Sequence, residues 1–335
     1  MAKSARAGRW DPDDWETEVA APFRTFLQSN IRTRAVALTM PFNWAVKRPR
    51  LFAMEKQLEG FLGRWQPESL PPRPQFAFLT TDLITGRLVS LPHDAGVSKW
   101  PISRVVMASA SFPPFFGPSI CRATDGRKCA LVDGGVWGNL GVSGRILESG
   151  AFVLVSDASY PLVPITRFDR LPRLWAKRAL RVAVQRGDSA LRHQMWLADS
   201  ERQRFEVWRI NDSSNRSDGA DGSYEYHQEL ALNIARIRTD LDKLTADEIG
   251  ILENHGYLRA SSSMSWLITR LRAGLDAAQR PTADATSRFA RLALRQEFPM
   301  IVPPHPELLA PSAVDRALRG SSHRILRLRR FRRAP

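Results

Sequence analysis

Apolar and polar positions change their spacing several times along the chain, and each change predicts an element. From Asp11 to about Leu70 the chain reads mostly helical, with apolar positions at Trp15, Val19, Phe23, Phe26 and Leu27. Pro67, Pro71, Pro72 and Pro74 end that region as a loop. Phe76 to Thr80 then reads as a buried strand, Asp82 to Gly86 as a turn, and Arg87 to Leu91 as the returning hairpin strand. A short helix is expected over Ile102 to Ser109. After it come a Phe-Pro-Pro loop, a hairpin turning at Asp125-Gly126 and a strand from Cys129 to Val132.

A helix over Leu140 to Ser149, closed by Gly150, and an apolar strand over Phe152 to Ser156 are expected next. Beyond Tyr160 the chain turns basic, with candidate helices over Leu171–Gln185 and Asp188–Glu206 and a polar surface loop over Asn211–Tyr224. Thr245 to Glu248 reads as a capping box opening a short helix that stops at Gly256, and amphipathic helices are expected from about Ser263 and Ala283. Strands alternating with helices predict an α/β fold with a mainly parallel sheet covered on both faces. The expected division is an α/β domain over 11–160, a helical carboxyl-terminal extension over 161–312 packing on the same domain, and a disordered basic tail over 313–335.

With 335 residues, 43% hydrophobic content, ten tryptophans and sixteen phenylalanines, the chain has the material for a sizeable core. Only Cys121 and Cys129 occur, at a spacing that fits no zinc pattern, so both read as packed thiols in a reducing compartment. Met1 to Trp15 has no apolar run, and the longest strongly apolar stretch, Ala151 to Val155, is far too short to span a bilayer. The expected location is the cytoplasm, either free or peripheral on a membrane. The net charge of +15 is uneven: eight arginines and no acid lie between Arg316 and Pro335. A second basic stretch runs from Arg167 to Arg192. Such charge favours anionic surfaces, phospholipid or nucleic acid, and the tail reads equally as a solvated, disordered segment.

The candidate chemistry lies at Asp133-Gly134-Gly135. Leu131-Val132 delivers the aspartate at a strand end, where ligand sites of open α/β sheets lie, and glycines leave room for a ligand. Asn139 is placed to cap the following helix. Asp157 is the other acid at a strand end and reads as a cap. The six histidines are scattered without metal-ligand spacing, His255 reads as a helix-end residue, and no cofactor or metal is expected.

An aromatic strand runs into Thr81-Asp82-Leu83-Ile84-Thr85-Gly86. Ala108-Ser109-Ala110-Ser111-Phe112-Pro113 precedes Asp133-Gly134-Gly135, and Ile237 to Leu241 and Asn254 to Tyr257 follow. In this order the segments resemble a patatin-like phospholipase domain, over about Asp11 to Leu258. The resemblance implies a three-layer fold and a serine–aspartate dyad that hydrolyses lipid acyl esters, with Asp133 as general base and Gly134 and Gly135 keeping its turn open. It implies a lipid or phospholipid substrate.

The chain departs from the family in that Ser111 stands where alanine is usual and Leu140 follows Asn139 where proline is often near. No Gly-x-Ser-x-Gly elbow occurs between Met1 and Pro335. Ser109, Ser111 and Ser143 lack the elbow's strand–turn–helix setting and read as packing or capping residues. The expectation is therefore a patatin-like fold incomplete at its amino terminus and inactive alone, through a late start or an upstream truncation. The alternative is a non-catalytic relative that binds lipid or a partner. Nucleic-acid binding would need a recognisable module, and none is found. Acyl and head-group preference and oligomeric state stay open.

Overall fold

The computed structural model describes residues 15–29, 49–63, 65–67, 76–95, 97, 99–113, 116–143, 146, 148, 153–159, 162, 172–199, 205–213, 226–237, 243–277 and 303–319. Two compact units divide the chain: residues 1–141, 166–188 and 239–244 form one, and residues 142–165, 189–238 and 245–335 the other.

In the first unit a π-helical turn, Glu16–Ala20, leads into helix α1 (Ala21–Leu27), and α2 spans Pro49–Leu62. Phe26 stacks on Phe61 with ring centroids 4.6 Å apart, joining the two. Strands β1 (Phe78–Asp82) and β2 (Arg87–Leu91) form the expected hairpin, α3 spans Ile102–Ser109, and β3 (Ser119–Arg122) and β4 (Lys128–Asp133) form a second hairpin. The sheet order is β2-β1-β4-β3. All three pairings are antiparallel, contrary to the expected mainly parallel sheet. For β1–β2 and β3–β4 the reason is local, whereas β1 and β4 meet across about fifty residues. Tight turns at Leu83–Gly86 and Thr124–Gly126 force antiparallel neighbours, and Gly126 takes a left-handed φ of 83° to close the second.

Helix α3 has two buried sides. Val105 and Ala108 pack with Val89, Leu91 and Leu131 on the sheet and with Val97 beyond β2, while Met107 meets Met54 and Leu58 of α2. Full burial of residues such as Val105, Met107 and Leu131 stabilises by about 1.5–3 kcal/mol each. Small residues at the end of α3 allow close approach to the sheet, where the Ser109 hydroxyl donates to the Leu79 carbonyl at 2.7 Å. Cys121 and Cys129 face each other across β3 and β4 as free thiols, and burial, with Cys129 alongside, pushes the Cys121 thiol up to about 12.

Asp82 ties the hairpins together. Its side chain is fully buried and accepts from Ile84 N–H (3.2 Å), Thr85 Oγ1 (2.7 Å), Ala130 N–H (2.9 Å) and the Arg127 guanidinium (3.1 Å). Burial by itself raises its pKa. The hydrogen bonds from Ala130, Thr85, Ile84 and Arg127 outweigh that and hold the carboxyl below its ordinary value.

Helix α4 (Pro172–Asp199) runs unbroken where two helices were expected, and β6 (Phe205–Arg209) begins inside the range assigned to the second. Its inward residues Val184, Leu191 and Met195 are buried, which outweighs the roughly 1 kcal/mol cost of Gly187 within the helix. In the second unit β5 (Val153–Asp157) pairs with β6 in parallel, the only parallel pair among the described residues. Helix α5 (Gln228–Ile234) follows, then α6 (Ala246–Ala277) and α7 (311–319).

The capping box forms as expected: Thr245 N–H donates to Glu248 Oε2 at 2.6 Å and Glu248 N–H to Thr245 Oγ1 at 3.1 Å. The helix does not stop at Gly256. Ties at the two residues before that glycine hold the helix: Asn254 exchanges two bonds with the His305 backbone, and His255 Nε2 lies 2.6 Å from the Ile210 carbonyl oxygen. At Gly250 the helix packs closely on Leu308 and His305, and a Cβ there would lie 2.7 Å from Leu308 Cδ1, so that side chain would have to shift. The molecule is thus mixed α/β. Among the described residues no helix is long and apolar enough to cross a membrane. The greater part of the expected polar loop, over 214–224, the helix expected from Ala283 and the end of the tail lie outside the described residues.

Replacing Asp82 by Ala is expected to lower the unfolding free energy by about 3–5 kcal/mol, because buried donors lose their acceptor and Arg127 its partner. The pKa is lowered on folding, so the carboxylate's contribution is present above the unfolded value of about 3.9 and is lost as pH falls through the folded pKa. Urea titrations at neutral and acid pH check both statements; equal losses for Asp82→Ala at the two pH values contradict them.

Candidate functional site

Strand β4 ends on Asp133, opposite Thr80 of β1. The backbone there is held from two directions. Asp133 N–H donates to the Ser111 carbonyl at 3.2 Å, and Thr81 Oγ1 donates to the Asp133 carbonyl at 3.0 Å. The same Thr81 hydroxyl accepts Trp137 N–H at 3.1 Å, so one side chain clamps both ends of the glycine turn.

The turn is a short 3-10 helix, Gly134–Val136, capped by Asp133, whose Oδ1 accepts Gly135 N–H at 2.7 Å. Neither glycine has a positive φ, so conformational freedom is not the reason for them. Space is. A Cβ on Gly134 would lie 2.5 Å from the Leu79 carbonyl oxygen, and one on Gly135 would collide with Asn139 Oδ1.

Asn139 does not act as the expected cap. Its N–H donates to Asp188 Oδ1 at 2.7 Å and its Nδ2 to Asp188 Oδ2 at 2.9 Å. Asp188, buried on α4, therefore holds the far side of the glycine turn from 49 positions away. Sequence reasoning passed over Asp188. The available signal was an acid one turn from the apolar Val184 and three residues before Leu191, on the inward face of an otherwise basic helix.

Asp133 is half-buried, and desolvation raises its pKa, partly offset by the Gly135 N–H. No described cation forms an ion pair with it, and its Oδ2 takes no hydrogen bond from a described residue. Such a carboxylate has an oxygen free to take a proton and a raised affinity for one.

Of the serines considered as nucleophiles, Ser109 and Ser111 have hydroxyls committed to other acceptors. The Ser111 hydroxyl is buried and donates to the Met107 carbonyl at 2.5 Å, and that of Ser109 goes to Leu79. Ser143 lies in the second unit, with its carbonyl accepting Ile146 N–H. Asp157, also in that unit, accepts Ser159 N–H at 3.0 Å and pairs with Arg192 at 3.0 Å. His255 stacks against Tyr226, His227 caps α5 and His305 pairs with Glu253, each a local structural tie. Among the described residues no group of three or more His, Cys, Asp or Glu side chains is arranged to hold a metal ion.

Compared with known proteins, the chain matches no family model and shows no significant match to a curated protein.

Two substitutions separate the roles of the turn. The Asp133 pKa is raised on folding, so its contribution is fully present below the unfolded value of about 3.9 and is lost as pH rises through the folded pKa. Asp133→Asn is therefore expected to match or exceed the parent stability at neutral pH, with the difference vanishing in acid. Gly134→Ala is expected to cost about 1–3 kcal/mol through the contact with the Leu79 backbone. Urea midpoints measure both, and a neutral-pH loss for Asp133→Asn larger than its acid loss contradicts the first.

Proposed function

We propose that the chain carries the base half of a patatin-type lipid acyl hydrolase, with Asp133 as the general base of a serine–aspartate dyad. The observation that carries the reading is the Asp133 carboxylate itself, at a strand end, with a raised pKa and an oxygen that takes no hydrogen bond from a described residue. In the dyad a serine hydroxyl gives its proton to Oδ2 while its Oγ bonds to the ester carbonyl carbon. Collapse of the tetrahedral adduct expels the alcohol, which takes the proton from Asp133 and leaves an acyl-serine. Water then enters by the same proton path, releasing the fatty acid and restoring the serine.

Gly135 N–H keeps Oδ1 occupied and so presents Oδ2, while Thr81, Ser111 and the Asp188–Asn139 pair fix the turn that orients it. The serine and the oxyanion-binding backbone belong to a Gly-x-Ser-x-Gly elbow and a glycine-rich loop that these 335 residues lack. A second reading, a relative that binds lipid or a partner without catalysis, draws support from the absence of any described hydroxyl on Asp133.

The chain alone is expected to leave a short-chain nitrophenyl ester intact, and Asp133-dependent turnover would overturn the two-part dyad. The in-frame DNA ahead of the Met1 codon separates the readings. A glycine-rich loop and Gly-x-Ser-x-Gly there support the hydrolase; unrelated sequence supports the binding protein. For the longer chain, Asp133→Asn should lower kcat about 10²–10⁴-fold with little change in KM. The acid limb of kcat/KM should lie above the ordinary aspartate range, because the base must be deprotonated and burial raises its pKa.

A further inference from the structure

Cys121 and Cys129 are the only cysteines of the chain, and the fold sets them opposite each other. Ala123 N–H donates to the Arg127 carbonyl at 2.7 Å, and two residues along each strand Cys121 and Cys129 repeat that hydrogen-bonded pairing. Such pairs hold their Cα atoms about 5.5 Å apart, with both side chains on one face of the sheet. Disulfides span Cα separations of about 4.4–6.8 Å, so the backbone already stands where a bridge needs it. The Cys121 thiol is also within hydrogen-bond reach of the Cys129 sulfur.

The two thiols differ in access. Cys129 is buried among Val89, Val105 and Leu131, whereas Cys121 is half-buried at the rim of that cluster. A reagent in solution therefore meets Cys121 first. Packing as a small apolar side chain accounts for either cysteine alone. It does not account for their meeting at one register position.

We infer that Cys121 and Cys129 form a reversible disulfide that latches β3 to β4, the strand ending on Asp133, when the surrounding thiol pool turns oxidising. The co-reactant is a small-molecule disulfide. The Cys121 sulfur attacks it, the reagent's S–S bond breaks, and one thiol leaves with the Cys121 proton. The Cys129 sulfur then attacks the mixed disulfide at Cys121 and expels the second thiol, which takes the Cys129 proton. The protein pair loses two electrons and the reagent gains them. In a hydrogen-bonded pair the side chains stand further apart than in the alternate kind, so closing the bond distorts the ladder and leaves the bridge readily reduced. Burial, the Cys129 sulfur and the charge of Asp82 raise the Cys121 pKa, with Arg104 opposing them. That thiol stays protonated at neutral pH and reacts slowly, so the latch follows a sustained change of redox conditions. No step uses the Asp133 carboxylate, and the inference stands apart from the hydrolase reading.

The test is equilibration of the full chain with oxidised glutathione in mildly alkaline buffer, followed by acid quenching and non-reducing tryptic digestion. Arg122, Arg127 and Lys128 separate the two cysteines, so cleavage parts 105–122 from 129–145 unless a bridge joins them. The expected result is one joined peptide pair, a fall from two titratable thiols per chain to none, and full recovery with dithiothreitol. The bridged chain should unfold at a higher temperature than the reduced one. Cys129→Ala should stop at a mixed disulfide on Cys121, and Cys121→Ser should keep its Cys129 thiol free, because Cys129 is buried. Circular dichroism checks that each variant is folded, and the parent chain carries the test by itself if either is not. Two free thiols after equilibration, a mixed disulfide persisting on the parent chain, or a disulfide-linked dimer on non-reducing electrophoresis overturns the inference. A bridge that leaves the unfolding temperature unchanged or lower overturns it as well, since it then latches nothing.

Discussion

The first unit is organised around one buried carboxylate. Asp82 sits where the β1–β2 turn meets the β3–β4 hairpin and accepts hydrogen bonds from both. A carboxylate held out of water is tolerated only when donors surround it, and here four groups do so closely enough to lower its pKa despite burial. By gripping Ala130 N–H it locks β4 beside β1, and that register sets Asp133 opposite Thr80. A slip by one residue would turn Leu131 out of the core and carry Asp133 to the other face.

The two acids on neighbouring strands have opposite fates. Asp82 is saturated with donors and serves the fold. Among the described residues Asp133 has one backbone donor and no cation, and its pKa is raised, so the folded protein is less stable when it ionises. A poorly solvated carboxylate at a tightly braced turn is what the proposed role of Asp133 as a base would require, with local stability exchanged for reactivity. Thr81 braces that turn from β1 and Asp188 from α4.

Several elements were legible because their signals are local. The returning strand Arg87–Leu91, the α3 limits, the Asp125-Gly126 turn and the Thr245–Glu248 capping box each depend on residues a few positions apart, and each formed as read, while the strand before Asp82 lies two residues later than expected. Gly187 and Gly256 misled for the same reason. Glycine is a local stop signal worth about 1 kcal/mol, and buried neighbours along α4, with the Asn254 and His255 ties along α6, overrode it.

Sequence alone determined the acid–glycine turn at Asp133, the hairpin that carries Asp82, and the one-sided charge of the chain, since composition and short spacings set these directly. Tertiary structure alone decided that the sheet around Asp133 is antiparallel, that Gly134 and Gly135 are required by neighbouring atoms rather than by φ, and that Asp188 holds Asn139. Those outcomes depend on groups brought together from tens of residues apart, by burial that acts on area and not on sequence order.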